Sequence, residues 1–210
     1  MKLGIVYGEI STKHQLIMER AEEIFDSVLA APIDGVKFIH GEDESKILYK
    51  DADLTEFDAV YIRIADNDMM FAEHMVEVLN DAGVVTQAEN DTYSYESNKF
   101  YSMKILSDNG VQTPDSVYTL SPDVAVEAAE GLGYPVIMKT VRGAGGEGVM
   151  RASSKNELKP VMDTMKSLEQ EICLQEFKEH GGEDTRIITI GDYITAYSRS
   201  SKGNGWRSNI

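Results

Sequence analysis

Residues 136–153, VIMKTVRGAGGEGVMRAS, place one lysine inside an apolar strand, four residues ahead of a run containing Gly143, Gly145, Gly146 and Gly148. Two strands joined by so bare a backbone make a hairpin whose loop can approach a ligand closely. Phosphate is the ligand whose charge suits the lysine. Gly143, Gly145 and Gly148 satisfy G-x-G-x-x-G, but that dinucleotide fingerprint has to open a helix. This run leads instead into GVMRAS, which alternates like a strand. Glu147-Gly148-Val149 does not supply the Gly-Lys-Ser/Thr of a P-loop. Protein kinases carry their lysine on a strand after the glycine loop, whereas Lys139 precedes it, and the sequence has no HRD or DFG triplet. What remains is a strand lysine, a glycine hairpin and a returning strand. A plain flexible hairpin is the alternative reading.

Upstream, residues 1–88 alternate strand and helix. LGIVYG is an apolar strand; Leu16, Ile17, Ile24, Val28 and Leu29 have the spacing of one helix over 16–29. VKFIH, AVYIRIA and VVTQ read as further strands, and FAEHMVEVLNDAG as a helix stopped by Gly83. That order predicts a parallel sheet covered by helices. After a polar bridge, YESNKFYSMKILSDNG reads as a single helix closed by Gly110. Ser121 caps a helix with Pro122 at its first position, and Gly191-Asp192 turns a hairpin between RIITI and YITAYSR.

Charge narrows the ligand. The chain has 210 residues and a formal net charge of −16, which disfavours nucleic acid, whose phosphates need neutralising. Residues 185–210 reverse the sign: Arg186, Arg199, Lys202 and Arg207 stand against one acid, Asp192. A positive island in an acidic protein suits a small anionic ligand. There is no run of 18 apolar residues for a membrane span, and the one cysteine, Cys173 in ICLQEF, reads as a buried thiol. These features predict a cytoplasmic protein. His14, His40, His74 and His180 are scattered without metal-ligand spacing.

Asn98-Lys99-Phe100 on a helix, then PVIMKT, the glycine run, LQEF, D-x-R and a final WRSN follow one another in an order that resembles the ATP-grasp superfamily. Within it the chain is most similar to the RimK/LysX-like branch of ATP-dependent amino-acid ligases. The resemblance implies an α/β fold, α+β in its later parts. It divides the chain into a parallel-sheet pre-ATP-grasp domain at 1–88, a central subdomain at 89–173 and the start of a C-terminal subdomain at 174–210. It implies that Lys99 and Lys139 contact ATP phosphates under the backbone of Gly143, Gly145, Gly146 and Gly148. Glu176 and Phe177 hold the adenine edge, and Asp184 the ribose hydroxyls. Arg186, Arg199, Arg207, Ser208 and Asn209 surround the γ-phosphate and the carboxylate being activated, with Arg199, Arg207 and Asn209 in the catalytic role. Read alone, Lys99 also fits a solvated helix lysine, Lys139 a structural ion pair, and the arginines a solvated face. Arg63, at the carboxyl end of a strand, is a weaker candidate for a substrate carboxylate, and a surface ion pair is the alternative there.

The activity so implied is amide-bond formation through an acyl phosphate, adding glutamate or a similar amino acid to a protein, carrier or coenzyme acceptor. The implied cofactors are ATP and Mg²⁺, with Mn²⁺ as a substitute. The family's metal ligands are an Asp and a Glu-x-Asn on strands after the R-S-N segment. The resemblance therefore implies no metal ligands before Ile210, a natural chain that continues past it, and no turnover by residues 1–210 alone. The partners implied are ATP, an amino acid and an acceptor, and a homo-oligomer is compatible with all of this. A nucleotide-binding protein without turnover, or half of a split ligase completed by a second chain, fits the same motifs.

Overall fold

The computed structural model describes residues 1–8, 12–42, 44–64, 66–141 and 148–200, which form two compact units, Met1–Ser97 and Asn98–Ile210. In the first unit, strand β1 (Lys2–Tyr7) is buried on both faces from Leu3 to Val6, as a central parallel strand must be. It lies between β2 (Ser27–Pro32) and β6 (Ala59–Arg63), and β6 pairs with the short β7 (Val85–Thr86); every pairing is parallel. Helix α1 (Thr12–Glu22) covers one face, where Ile17, Met18 and Ala21 meet Leu3 and Ile5. Helix α2 (Met69–Asp81) covers the other, packing Ala72, Met75, Val76 and Leu79 against Val6, Val60 and Ile62. The covered parallel sheet is as the alternation predicts.

Two expectations in this unit are corrected. The helix expected over 16–29 stops at Glu22, and Val28 and Leu29 belong to β2. The amides of Ile24 and Phe25 close on the Ala21 carbonyl, after which Ser27–Pro32 pairs residue for residue with Lys2–Tyr7. Six residues of ladder outweigh a helical spacing whose last members were coincident. VKFIH is a strand, β3 (Val36–His40), but it joins an antiparallel sheet with β4 (Ser45–Tyr49) and β5 (Ala52–Asp53). The edge-on contact of Phe38 with Phe71 packs it on α2.

Glu73 on α2 is buried, and its carboxylate accepts from the backbone N–H of Asp91, Tyr93 and Ser94, capping α3 (Thr92–Ser97). Glu73→Gln keeps one acceptor and loses the charge. It is expected to lower the stability of this unit by about 1–2 kcal/mol in urea unfolding. A change below the error of that measurement would show that the N–H groups find water instead.

The helix expected over 95–110 is broken. Asn98 is extended (φ −113°, ψ 110°), and its side chain caps α4 (Lys99–Asp108) by accepting from Phe100 and Tyr101 N–H. A residue committed to capping forward cannot also continue the helix behind it. The second unit then builds an antiparallel sheet in the order β10 (Val149–Ala152), β9 (Val136–Thr140), β11 (Ile172–Glu176), β8 (Ser116–Thr119). Helix α5 (Pro122–Leu132) starts at the Ser121 cap with Pro122 at N1, as expected, and ends at Gly133. With α6 (Lys155–Ser167) it packs on one sheet face, where Ala125, Ala129, Leu158 and Met162 meet Val136, Met138, Ile172 and Leu174. Strands β12 (Glu183–Ile190) and β13 (Tyr193–Ser200) pair antiparallel across the turn at Gly191, leaving Ile187, Ile190, Tyr193 and Ile194 exposed. Among the described residues no helix is long and apolar enough to cross a membrane.

Candidate functional site

Residues directly opposite one another in an antiparallel ladder project to the same face, as do residues two apart along a strand. Val136, Met138, Ile172 and Leu174 point into the helices, so Lys139, Cys173 and Gln175 point the other way. The register sets out two rows on that second face: Val149, Lys139, Cys173 and Tyr118, then Arg151, Ile137, Gln175 and Ser116. One face makes the core under the helices, and the other carries Lys139, Cys173, Gln175, Tyr118 and Arg151. This is how a lysine comes to sit in the middle of an apolar strand.

Helix α4 borders the second face. Lys99 N–H donates to the Val141 carbonyl at 3.0 Å, the Tyr118 hydroxyl donates to the Lys99 carbonyl at 3.1 Å, and Phe100 meets the Tyr118 ring edge-on at 5.0 Å. Phe100, Tyr101, Tyr118 and Val141 line a cavity of about 300 Å³ at this end of the sheet. Val141 lies two residues before Gly143, so Lys139 and the helix start at Lys99 both adjoin the chain that enters the glycine run.

Lys139 is half-buried, and its ammonium donates to the Gln175 amide oxygen. Burial holds it below the ordinary lysine range, and the Lys99 charge adds to that, against a smaller opposing influence from Cys173. Among the described residues no carboxylate pairs with it. A desolvated ammonium whose partner among the described residues is a neutral amide favours an anionic neighbour. Cys173 is 1% exposed as expected, and burial pushes its thiol up, which keeps it unreactive.

Gly148 has φ +67°, and a Cβ there would stand 2.6 Å from Thr140 Oγ1; glycine is required twice over, by backbone and by space. Gly143, Gly145, Gly146, Arg207, Ser208 and Asn209 lie outside the described residues. Glu176 ends β11, its carboxylate taking the Asp115 N–H at 3.0 Å and the Lys178 ammonium at 2.7 Å. These two contacts hold its acid strength above that of an ordinary Glu side chain, Lys178 contributing most. Phe177 follows, with the Arg151 guanidinium 4.7 Å over its ring. Asp184 and Arg199 face one another on the hairpin and form a two-pronged ion pair, 2.7 Å at each prong, while Arg186 is exposed. Arg63 closes β6 in the other unit, where its carbonyl accepts from Gly8 N–H. Among the described residues no group of three or more His, Cys, Asp or Glu side chains could hold a metal ion.

Lys99, Lys139, Gly148, Glu176 and Phe177 therefore come from four elements to one sheet. Sequence reasoning missed Gln175, Tyr118 and Arg151. Alternation on β11 and β8 gave the signal, since Gln175 and Tyr118 fall on the lysine's side of the pleat.

Residues 96–210 match the RimK-like ATP-grasp domain. A probable alpha-L-glutamate ligase of Thioalkalivibrio sulfidiphilus is 34% identical over 78% of this chain and 56% of its own length. The alpha-aminoadipate–LysW ligase LysX of Sulfurisphaera tokodaii is 23% identical over 100% of this chain and 72% of its own. The chain thus spans little more than half the length of the glutamate ligase relative. Among solved structures, a RimK domain ATP-grasp protein from Sphaerobacter thermophilus superposes with a TM-score of 0.69 at 13% identity, over 90% of this chain and 69% of that one. D-alanyl-alanine synthetase A from Vibrio cholerae gives 0.67 at 12% identity, over 93% and 65%. At these identities the superpositions speak for the fold.

Proposed function

The chain belongs to the RimK-like ATP-grasp family, and from that premise we propose that it binds ATP for a carboxylate–amine ligase. In the reaction so read, a carboxylate oxygen attacks the γ-phosphorus of ATP and ADP leaves, giving an acyl phosphate. An amine nitrogen then attacks the acyl carbon, phosphate departs, and the nitrogen gives up a proton to leave an amide. Glutamate is the favoured amino acid, because the relative of highest identity quoted above is named a glutamate ligase. The acceptor in this reading is a protein, carrier or coenzyme.

The observation that carries the reading is Lys139, a half-buried ammonium paired with an amide and standing beside Lys99. Two positive charges at the foot of a glycine run suit a polyphosphate, whose charge they would neutralise as it moves to the leaving oxygen. Gly143, Gly145, Gly146 and Gly148 would contribute backbone N–H groups. Glu176 and Phe177 are assigned the adenine edge, and Asp184 the ribose hydroxyls. Arg186, Arg199, Arg207, Ser208 and Asn209 are assigned the γ-phosphate and the carboxylate, and Arg63 a subsidiary carboxylate contact. Mg²⁺ would neutralise phosphate charge during the transfer, and the reading assigns its ligands to positions outside the described residues. It keeps the division into 1–88, 89–173 and 174–210.

Isothermal titration of the chain with ATP tests this. Saturable binding that GTP competes for weakly is expected; no saturation up to several millimolar would overturn the reading. ATP binding without phosphate release, in a full-length protein given glutamate and acceptor, would favour a non-catalytic nucleotide sensor.

A further inference from the structure

Gln175 has no part in the roles above, yet it is one of the few polar side chains in the core, 5% exposed. The strand register explains where it points: one row along from Lys139 on the same face, so that the two side chains meet diagonally across β9 and β11. Its amide has a fixed sense. The Ser116 hydroxyl gives its single proton to the Pro114 carbonyl at 2.9 Å, so its oxygen is left to accept from Gln175 Nε2, also at 2.9 Å. The same nitrogen approaches Met103 Sδ on α4 at 3.7 Å. With the nitrogen end committed twice, the oxygen end faces the Lys139 ammonium.

We infer that Gln175 is a positioning residue, which fixes the direction of the Lys139 ammonium while leaving its charge uncancelled for the anionic ligand. This rests on the reading that Lys139 contacts a nucleotide phosphate. A lysine ammonium has three N–H donors, and Gln175 takes one in a fixed direction, leaving two for the ligand. A carboxylate in its place would hold the ammonium more strongly but neutralise it, and would add a negative charge beside a polyphosphate. The amide restrains without competing. Among the described residues, the other titratable or charged groups facing Lys139 are Lys99 on α4, Cys173 on β11 and Tyr118 on β8, with Arg151 on β10 at the end of the adjoining row. None changes in the variants below.

The test compares Gln175→Glu, Gln175→Met and Lys139→Met in the whole chain, by ATP titration across pH and by thermal melting. Gln175→Glu is expected to weaken ATP binding tenfold or more at neutral pH. It should also move the alkaline loss of affinity to higher pH, because the new carboxylate favours the ammonium. Gln175→Met, of similar length and apolar, should weaken binding severalfold and move that loss to lower pH. A purely structural glutamine would change the melting temperature and leave the pH profile alone; an unmoved profile in both variants overturns the inference. If Lys139→Met loses affinity while Gln175→Glu binds within twofold of the parent, Gln175 alone is misassigned. If Lys139→Met also binds as the parent does, the phosphate reading falls and takes this inference with it.

Discussion

Lys139→Met is expected to bind ATP ten- to a hundredfold more weakly than the parent chain while keeping its stability within about 1 kcal/mol. The affinity loss is that of one charge-assisted phosphate contact, about 1.5–3 kcal/mol. Two effects on stability oppose each other. Removing a desolvated ammonium relieves the fold, whereas the Gln175 oxygen loses its donor, at a cost of about 1–3 kcal/mol. Methionine keeps the volume, so no cavity opens.

The pH dependence separates the ligand's interest from the fold's. In the unliganded protein Lys139 releases its proton below the ordinary lysine value of about 10.4. Between its folded value and 10.4 the unfolded chain holds more protons than the folded one. Stability contributed by this group therefore rises with pH across that window. ATP affinity falls across the same window, since the phosphate needs the ammonium. Subtracting the Lys139→Met profiles from the parent's isolates both trends; affinity and stability moving in the same direction would remove Lys139 from the phosphate site.

Leu158→Ala should do the converse. Leu158 is fully buried on α6 against the helix-covered face of the sheet. Truncating such a leucine costs about 2–5 kcal/mol through lost transfer energy and the cavity left behind. A domain's total stability is about 5–15 kcal/mol, so this unit would unfold at much lower urea, while ATP affinity measured in the cold stays within twofold of the parent. A loss under 1 kcal/mol would mean that α5, α6 and the sheet do not share one core. Together the two variants test whether the two faces of one sheet are independent, one for stability and one for the ligand.

What was legible in the sequence follows from how local the deciding physics is. Ser121 and Pro122 mark the start of α5 because caps act within one turn, and Gly191 marks its hairpin because a tight turn is equally local. Val28 and Leu29 misled because their strand is made by pairing with Lys2–Tyr7, which lies far away in sequence. Asn98 was misread because an asparagine inside a helix and one that starts a helix have the same neighbours; only the extended backbone distinguishes them. The lysines, glycines and LQEF were visible as types in an order. The partnership of Gln175 with Lys139 needed the register of β9 on β11, which no linear spacing encodes. The hairpin arginines were expected as a positive island, but Arg199 is matched by Asp184 directly across the strands.

The hydrogen bond from Lys99 N–H to the Val141 carbonyl has one more consequence. It joins the first residue of a helix to Val141, two residues before Gly143, through main-chain atoms alone. The spacing between the roots of the two lysines is therefore a property of the backbone, like a ruler set into the fold. Exchanging either lysine for arginine alters reach and fork geometry but leaves the ruler intact. Only a residue without an N–H, proline at position 99, would erase it, and both charges would then lose their common reference while every side chain but one stayed in place.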